Sequence, residues 1–229
     1  SGATFSFEAF DEQQMDRLRF ELLKDTPRAV WVAGGDGTVM RVACLTMETG
    51  IPLGVLPGGT VNLLARDLGM KLDMGDAMAQ LCDATPVKID LAALNDRVFS
   101  CIVNIGISTV LTRRRRKIRH FPFLLQWVFL SAYMLRSFFE YPRMTLELNT
   151  GDVSRVLRTR SVSITNNPLA DNRPLIPARN CIDSGRLGVY AASERSRLSL
   201  PRLILKLLIG KWRYDEDLYV YAPRTLRID

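Results

Sequence analysis

Two stretches of this chain follow one pattern, and that pattern narrows the fold more than any other feature. The apolar run Ala29-Val30-Trp31-Val32-Ala33 ends in Gly34-Gly35-Asp36-Gly37-Thr38, and helix-like sequence resumes at Val39-Met40-Arg41-Val42-Ala43. A strand that runs into three glycines around one carboxylate, then into a helix, suits a phosphate. Without Cβ atoms, backbone N–H groups approach the oxygens closely. The helix start adds oriented amides and a partial positive charge, and the Thr38 hydroxyl is a further donor. Asp36 would repel bare phosphate, so it points to Mg²⁺ or its bound waters nearby. The alternative is a Gly-rich turn that only closes a strand.

A second unit follows at once. Ile51-Pro52-Leu53-Gly54-Val55-Leu56 reads as a buried strand and runs into Pro57-Gly58-Gly59-Thr60-Val61-Asn62. Helical periodicity returns in Leu63-Leu64-Ala65-Arg66-Asp67-Leu68, with Gly69 placed to end it. Two successive strand–glycine loop–helix units bring both loops to the carboxyl edge of a parallel sheet, where open α/β sheets bind ligands.

Together these loops, GGDGT and PGGTVNLLARDLG, resemble the catalytic domain of diacylglycerol-kinase-type lipid kinases, a family that includes bacterial lipid kinases and sphingosine and ceramide kinases. The first loop is shared with NAD kinases and phosphofructokinases, whereas the second, P-x-G-T-x-N-x-x-A-R, is more particular. The resemblance continues through Asn104-Ile105-Gly106, Asn166-Asn167 and Asp183-Ser184-Gly185-Arg186-Leu187. The first loop is not a Walker P-loop, since no G-K-[ST] follows it, and protein-kinase motifs are missing.

The resemblance implies in-line transfer of the ATP γ-phosphate to a lipid hydroxyl, with ATP and Mg²⁺ as cofactors. Gly34, Gly35, Gly37 and Thr38 would cradle the triphosphate, and Gly58, Gly59 and Thr60 would close over it. Asp36 would act in catalysis, holding the metal's water shell or orienting the nucleotide. Asn62 either hydrogen-bonds across the loops or stabilises its own turn. Many relatives carry Asp where this chain has Leu63, so part of the usual Mg²⁺ machinery is absent or supplied elsewhere. In bacterial relatives an Asp-Gly turn holds a structural Mg²⁺, which makes Asp183 a candidate metal ligand; the other reading is a hairpin turn. Such kinases usually open with a strand and an Asn-Pro-x-Ser-Gly loop, and they carry a late Asp-Gly-Glu whose acid serves as base for the lipid hydroxyl. This chain ends in Leu226-Arg227-Ile228-Asp229, so Asp229 is a candidate base, unless that motif lies beyond the end. The expectation is a truncated chain, and such a chain can bind nucleotide and still fail to turn over.

Alternating strands and helices continue to about residue 86. Ala3 to Phe10 reads as a strand and Glu12 to Lys24 as a helix; strand 29–33, helix 38–48, strand 51–56, helix 61–68 and a helix near 75–83 follow. Beyond Pro86 short strands predominate: Val87–Leu91, Val98–Ile105, Met144–Leu148, Ser161–Thr165, Leu187–Tyr190 and Leu218–Tyr221. The expected organisation is an α/β nucleotide-binding domain over 1–88, with an NAD-kinase-like parallel sheet and its first strand missing. A β-sandwich-like domain over 89–229 would follow, with helical inserts near 122–139 and 199–209. The resemblance implies an active site in the cleft between them.

With 229 residues there is room for a full core and for one or two domains. The four cysteines form no CxxC pair, so neither zinc nor a disulfide framework is signalled. The single histidine, His120, and the lack of G-x-S-x-G argue against a Ser-His-Asp hydrolase. A net charge of +7 fits an anionic membrane surface better than nucleic acid, for which no module is present. The basic run Arg113, Arg114, Arg115, Arg116 and Lys117 precedes an aromatic-rich stretch around Trp127. That pairing is the pattern of an interfacial helix; its alternative is a core helix beside a solvated charge run. Each cation near an anionic leaflet contributes about 1 kcal/mol. The expected location is cytoplasmic, peripheral on the inner leaflet, with a lipid substrate as partner.

Overall fold

The computed structural model describes residues 6–9, 11–107, 109, 129, 132, 136, 142–151, 153–170, 178–179, 181–193, 202, 206, 211, 213 and 215–229. The chain divides into two compact units, Ser1–Val87 and Lys88–Asp229. The expected membrane contacts at 113–117 and 127, both helical inserts as elements, and His120 lie outside the described residues.

In the first unit, a 3-10 turn (Glu12–Gln14) capped by the Asp11 carboxylate leads into α1 (Met15–Lys24). Strands β1 (Val30–Gly34) and β2 (Leu53–Pro57) pair in parallel, with Val32 opposite Val55 and Gly34 opposite Pro57. Parallel neighbours need a crossover, and α2 (Asp36–Thr49) supplies it. It packs on both strands and buries Val39, Val42 and Leu45, while Val32, Val55 and Leu56 are buried in the strands. Each such side chain contributes about 1.5–3 kcal/mol when fully buried. Helices α3 (Leu63–Asp67) and α4 (Met74–Cys82) complete the unit. Gly69 ends α3 at φ +71, with its N–H on Arg66 O and the Met70 N–H on Ala65 O. That is the paired hydrogen-bond pattern of a glycine-terminated helix.

Of the strand expected at 3–10, the described residues 6–9 join no ladder, and Phe7 is exposed. Helix α2 begins two residues earlier than its periodicity suggests. The Val39 N–H already bonds Gly35 O at 3.0 Å, which brings Asp36 and Gly37 into the first turn.

In the second unit, β3 (Ala92–Leu94) and β4 (Arg97–Phe99) form a hairpin, with Asn95 at φ +51 in its turn. The remaining strands are β5 (Ile102–Gly106), β6 (Met144–Asn149), β7 (Ser154–Asn166), β8 (Leu187–Ser193), β9 (Leu218–Tyr221) and β10 (Arg227–Ile228). They make one antiparallel sheet in the order β10-β6-β7-β8-β9, with β5 also paired to β7. Where a sandwich was expected, the described residues show this single sheet and the separate hairpin. Its core is Leu148, Leu157, Val162, Ile164, Val189 and Ala191, flanked by Phe99, Leu146, Tyr219 and Ile228.

Two corrections have clear causes. Val87–Leu91 is not a strand, because Asp90 is bonded outside any ladder: its N–H donates to Ile182 O and its carboxylate accepts the Gly185 N–H. Val98–Ile105 is two strands rather than one, because β4 belongs to the hairpin and β5 to the large sheet. At the switch the Arg179 guanidinium binds Ser100 O and, at 2.8 Å, Asn166 O.

The start of β9 is held by ions. Arg202 donates twice to the Asp215 carboxylate, each at 3.0 Å, and once to Asp217 at 2.7 Å. Lys206 lies 3.1 Å from the same Asp215. The Asp215 side chain is wholly buried. Burial opposes its charge, but the hydrogen bonds from Arg202, the Asp217 N–H and Lys206 outweigh it and hold its pKa at about 2.

Candidate functional site

The two glycine loops of the first unit leave the carboxyl ends of β1 and β2 and touch backbone to backbone. The Gly58 N–H donates to Gly34 O at 3.0 Å. A Cβ on Gly58 would sit 2.7 Å from Gly34 N, and one on Gly59 would sit 2.5 Å from Gly35 Cα. These glycines are required by the contact between the loops themselves.

Gly37 is different. A Cβ added there meets nothing within 4 Å, and its position in the first turn of α2 asks for no special backbone. An alanine would suit a helix better by about 1 kcal/mol. The space over Gly37 is therefore left open beside the N–H groups of Asp36, Gly37 and Thr38, which have no carbonyl to reach in the preceding turn. Such an opening fits anionic oxygens at a helix N-terminus.

The other sequence candidates in this unit are placed as follows. Thr38 is half-buried, and its side chain fills the space a Cβ on Gly34 would need. Thr60 is exposed. Asn62 is buried, in the left-handed region at φ 52, ψ 51. Its Oδ1 accepts the Gly59 N–H at 2.8 Å and its Nδ2 donates to Gly59 O at 2.9 Å. Of its two possible roles, the hydrogen bonds seen are those of the turn. The Asp36 carboxylate accepts the Leu64 N–H at 3.2 Å. Half-buried Leu63 stands next to it in sequence. Arg66 bonds Val61 O through Nε at 2.8 Å and so braces the second loop.

In the second unit, Asp183 accepts the Cys181 thiol at 2.7 Å and belongs to no group of three or more acidic, histidine or cysteine side chains among the described residues. Its turn is held from elsewhere. Asn167 Oδ1 accepts both the N–H of Ser184, at 2.8 Å, and its hydroxyl, at 2.5 Å. Asp90 takes the next N–H, that of Gly185. Asp90 and Arg179 were not among the sequence candidates; Asp90 was hidden in the alternation Val87-Lys88-Ile89-Asp90-Leu91, and Arg179 carried no signal. Asp229 is exposed at the sheet margin, its carboxylate 2.9 Å from Arg227 Nε.

Residues 2–94 match the family model described as the diacylglycerol kinase catalytic domain. Over this part, less than half of its length, the chain is similar to that family. The chain is 35% identical over 102 residues to "Probable lipid kinase YegS-like" of Klebsiella pneumoniae (strain 342), covering 42% of this chain and 34% of that protein. It is 32% identical over 97 residues to "Diacylglycerol kinase" of Mycobacterium tuberculosis (strain ATCC 25618 / H37Rv), covering 40% and 31%. The matched part thus spans about a third of the length of these curated relatives. The crystal structure of a diacylglycerol kinase from Bacillus anthracis str. Sterne shares the fold, with a TM-score of 0.64 at 15% identity over 96% of this chain and 72% of that one. The family match covers both glycine loops and the hairpin strand β3.

Proposed function

We propose that this chain is part of an ATP-dependent lipid kinase that transfers the γ-phosphate to a hydroxyl of a diacylglycerol- or sphingoid-like lipid. The observation that carries the reading is the open space over Gly37 beside two loops locked to each other. The family match adds the kinase class.

In this reading the α2 N–H groups and the Thr38 hydroxyl bind the nucleotide phosphates, and Thr60 approaches from the second loop. ATP supplies the phosphoryl group. The protein's part is to position and to neutralise charge, which carries most of phosphoryl-transfer catalysis. The described residues do not form a carboxylate cage for Mg²⁺: no suitable group of three converges, and Leu63 is apolar. No step is assigned to a protein-held metal, and Mg²⁺ enters the proposal only as the nucleotide's counter-ion. No helix among the described residues is long and apolar enough to cross a membrane. Peripheral attachment at the inner leaflet through 113–117 and 127 is part of the proposal.

The test is transfer of the ATP γ-phosphate to a panel of lipids in mixed micelles, with Asp36→Ala alongside. Transfer to one lipid class, lost in the variant, supports the reading; ATP binding without transfer to any lipid overturns the activity. Leu63 favours a second reading, a nucleotide- and membrane-binding protein without catalysis, which that second outcome would select. An NAD-kinase-like activity is also covered by adding NAD to the panel.

Gly37→Ala separates binding from folding. Stability should hold or rise by up to about 1 kcal/mol, because the new methyl meets nothing. ATP affinity should fall about tenfold or more, because the methyl occupies the approach to the helix N–H groups. Thermal melts and calorimetric titration check both halves.

A further inference from the structure

We infer that Asp36 is a positioning residue, whose carboxylate caps α3 from across the site and thereby holds the second glycine loop against the first. This inference rests on the nucleotide-site reading above and assigns Asp36 a role within it.

An Asn at the N-cap of a helix ordinarily accepts the N–H two or three residues on. Asn62 occupies that position for α3 but makes no such bond. Its left-handed backbone turns the amide back onto Gly59, where both ends are engaged. Helix α3 therefore starts without a cap of its own. The acceptor comes from 28 residues earlier: Asp36 Oδ1 takes the Leu64 N–H at 3.2 Å. Leu64 is buried, with 3% of its surface exposed, so solvent is a poor substitute partner for that N–H.

Asp36 lies in the first turn of α2, and its carboxylate reaches the first turn of α3. A negative charge is favourable at the start of a helix, and here one carboxylate serves two starts. That gives Asp36 a place beside a phosphate site without a metal to justify it. It also couples the loops a second time. Glycine contacts join 34–35 to 58–59, and Asp36 joins the α2 start to the far end of the second loop.

The distinguishing variant is Asp36→Asn, which keeps an oxygen acceptor and removes the charge. Amide hydrogen exchange over 57–68 and ATP affinity, with Mg²⁺ and in EDTA, are measured for the wild-type chain, Asp36→Ala and Asp36→Asn. Alanine is expected to speed exchange in this segment and weaken ATP binding, each by about tenfold, the size of a lost cap. Asparagine is expected to restore both to within about threefold of wild type. If asparagine restores exchange protection but binds ATP as poorly as alanine, the charge acts directly on nucleotide or metal, and the positioning role is overturned. If alanine leaves exchange over 57–68 unchanged, the cross-loop cap is overturned. Should alanine fail to fold, asparagine alone decides by the same threefold limit. A wild-type chain that binds no ATP would overturn the nucleotide reading, while the exchange arm would still decide the cap.

Discussion

Under the proposed kinase function, Gly59→Ala is expected to lower phosphoryl transfer about 10²-fold and to destabilise the first unit. The new Cβ would lie 2.5 Å from Gly35 Cα and 2.8 Å from Asn62 Oδ1. Neither neighbour is the free end of a long side chain, so the loops themselves must part. Overpacking of this kind costs about 1–3 kcal/mol, and a misplacement of about 1 Å in a catalytic constellation lowers the rate about 10²-fold. The same chemical change at Gly37 meets open space, which makes the two alanine variants controls for each other. Melting curves and nucleotide titrations of the pair check the contrast. Equal stability of the two would mean that the loops do not meet as described.

The second large effect lies in the ion cluster at β9. Arg202→Ala removes the hydrogen bonds of Arg202 to the buried carboxylates of Asp215 and Asp217, while Lys206 still pairs with Asp215. Breaking a buried pair from one side costs about 3–5 kcal/mol. The lower end is expected, because Arg202 is itself 42% exposed and Lys206 stays. The pH dependence follows from the direction of the shift. Asp215 sits at about 2, below its ordinary 3.8, so its ionisation stabilises the fold above the ordinary carboxylate range. That contribution fades as pH falls from about 4 towards 2. In the variant burial is less opposed, so the Asp215 pKa rises and protonation becomes less harmful. Urea unfolding at pH 7 and pH 3 should show the gap between wild type and variant narrowing in acid. A gap that stays constant would mean that the cluster contributes no net electrostatic stability.

The parts legible in the sequence were those built from neighbouring residues. The strand–loop–helix units gave themselves away because glycines and apolar runs sit side by side, and β9 was read at its observed limits for the same reason. Failures came where partners are distant. Strand β7 runs from Ser154 to Asn166, yet its alternation suggested only 161–165. The register shifts between Thr159 and Val162, and such an irregularity reverses which parity faces the core. Arginines at 155, 158 and 160 further masked the pattern. In the site, glycine identity was legible but glycine purpose was not. Gly58 and Gly59 serve the opposing loop, whereas Gly37 leaves room, and nothing local distinguishes the two uses. Asp36 shows the same limit, because its partner Leu64 lies 28 positions away.

Asn62 has a consequence for how a ligand would arrive. Because its amide engages the Gly59 peptide at both the N–H and the carbonyl, the second loop is braced by the protein's own hydrogen bonds. A pliant loop would have to search for its bound form after each encounter, and it would lose that freedom on binding. Here that ordering is completed when the chain folds. In the proposed nucleotide site, capture would then be governed by encounter rather than rearrangement, and residence by how firmly the phosphates are held once they arrive.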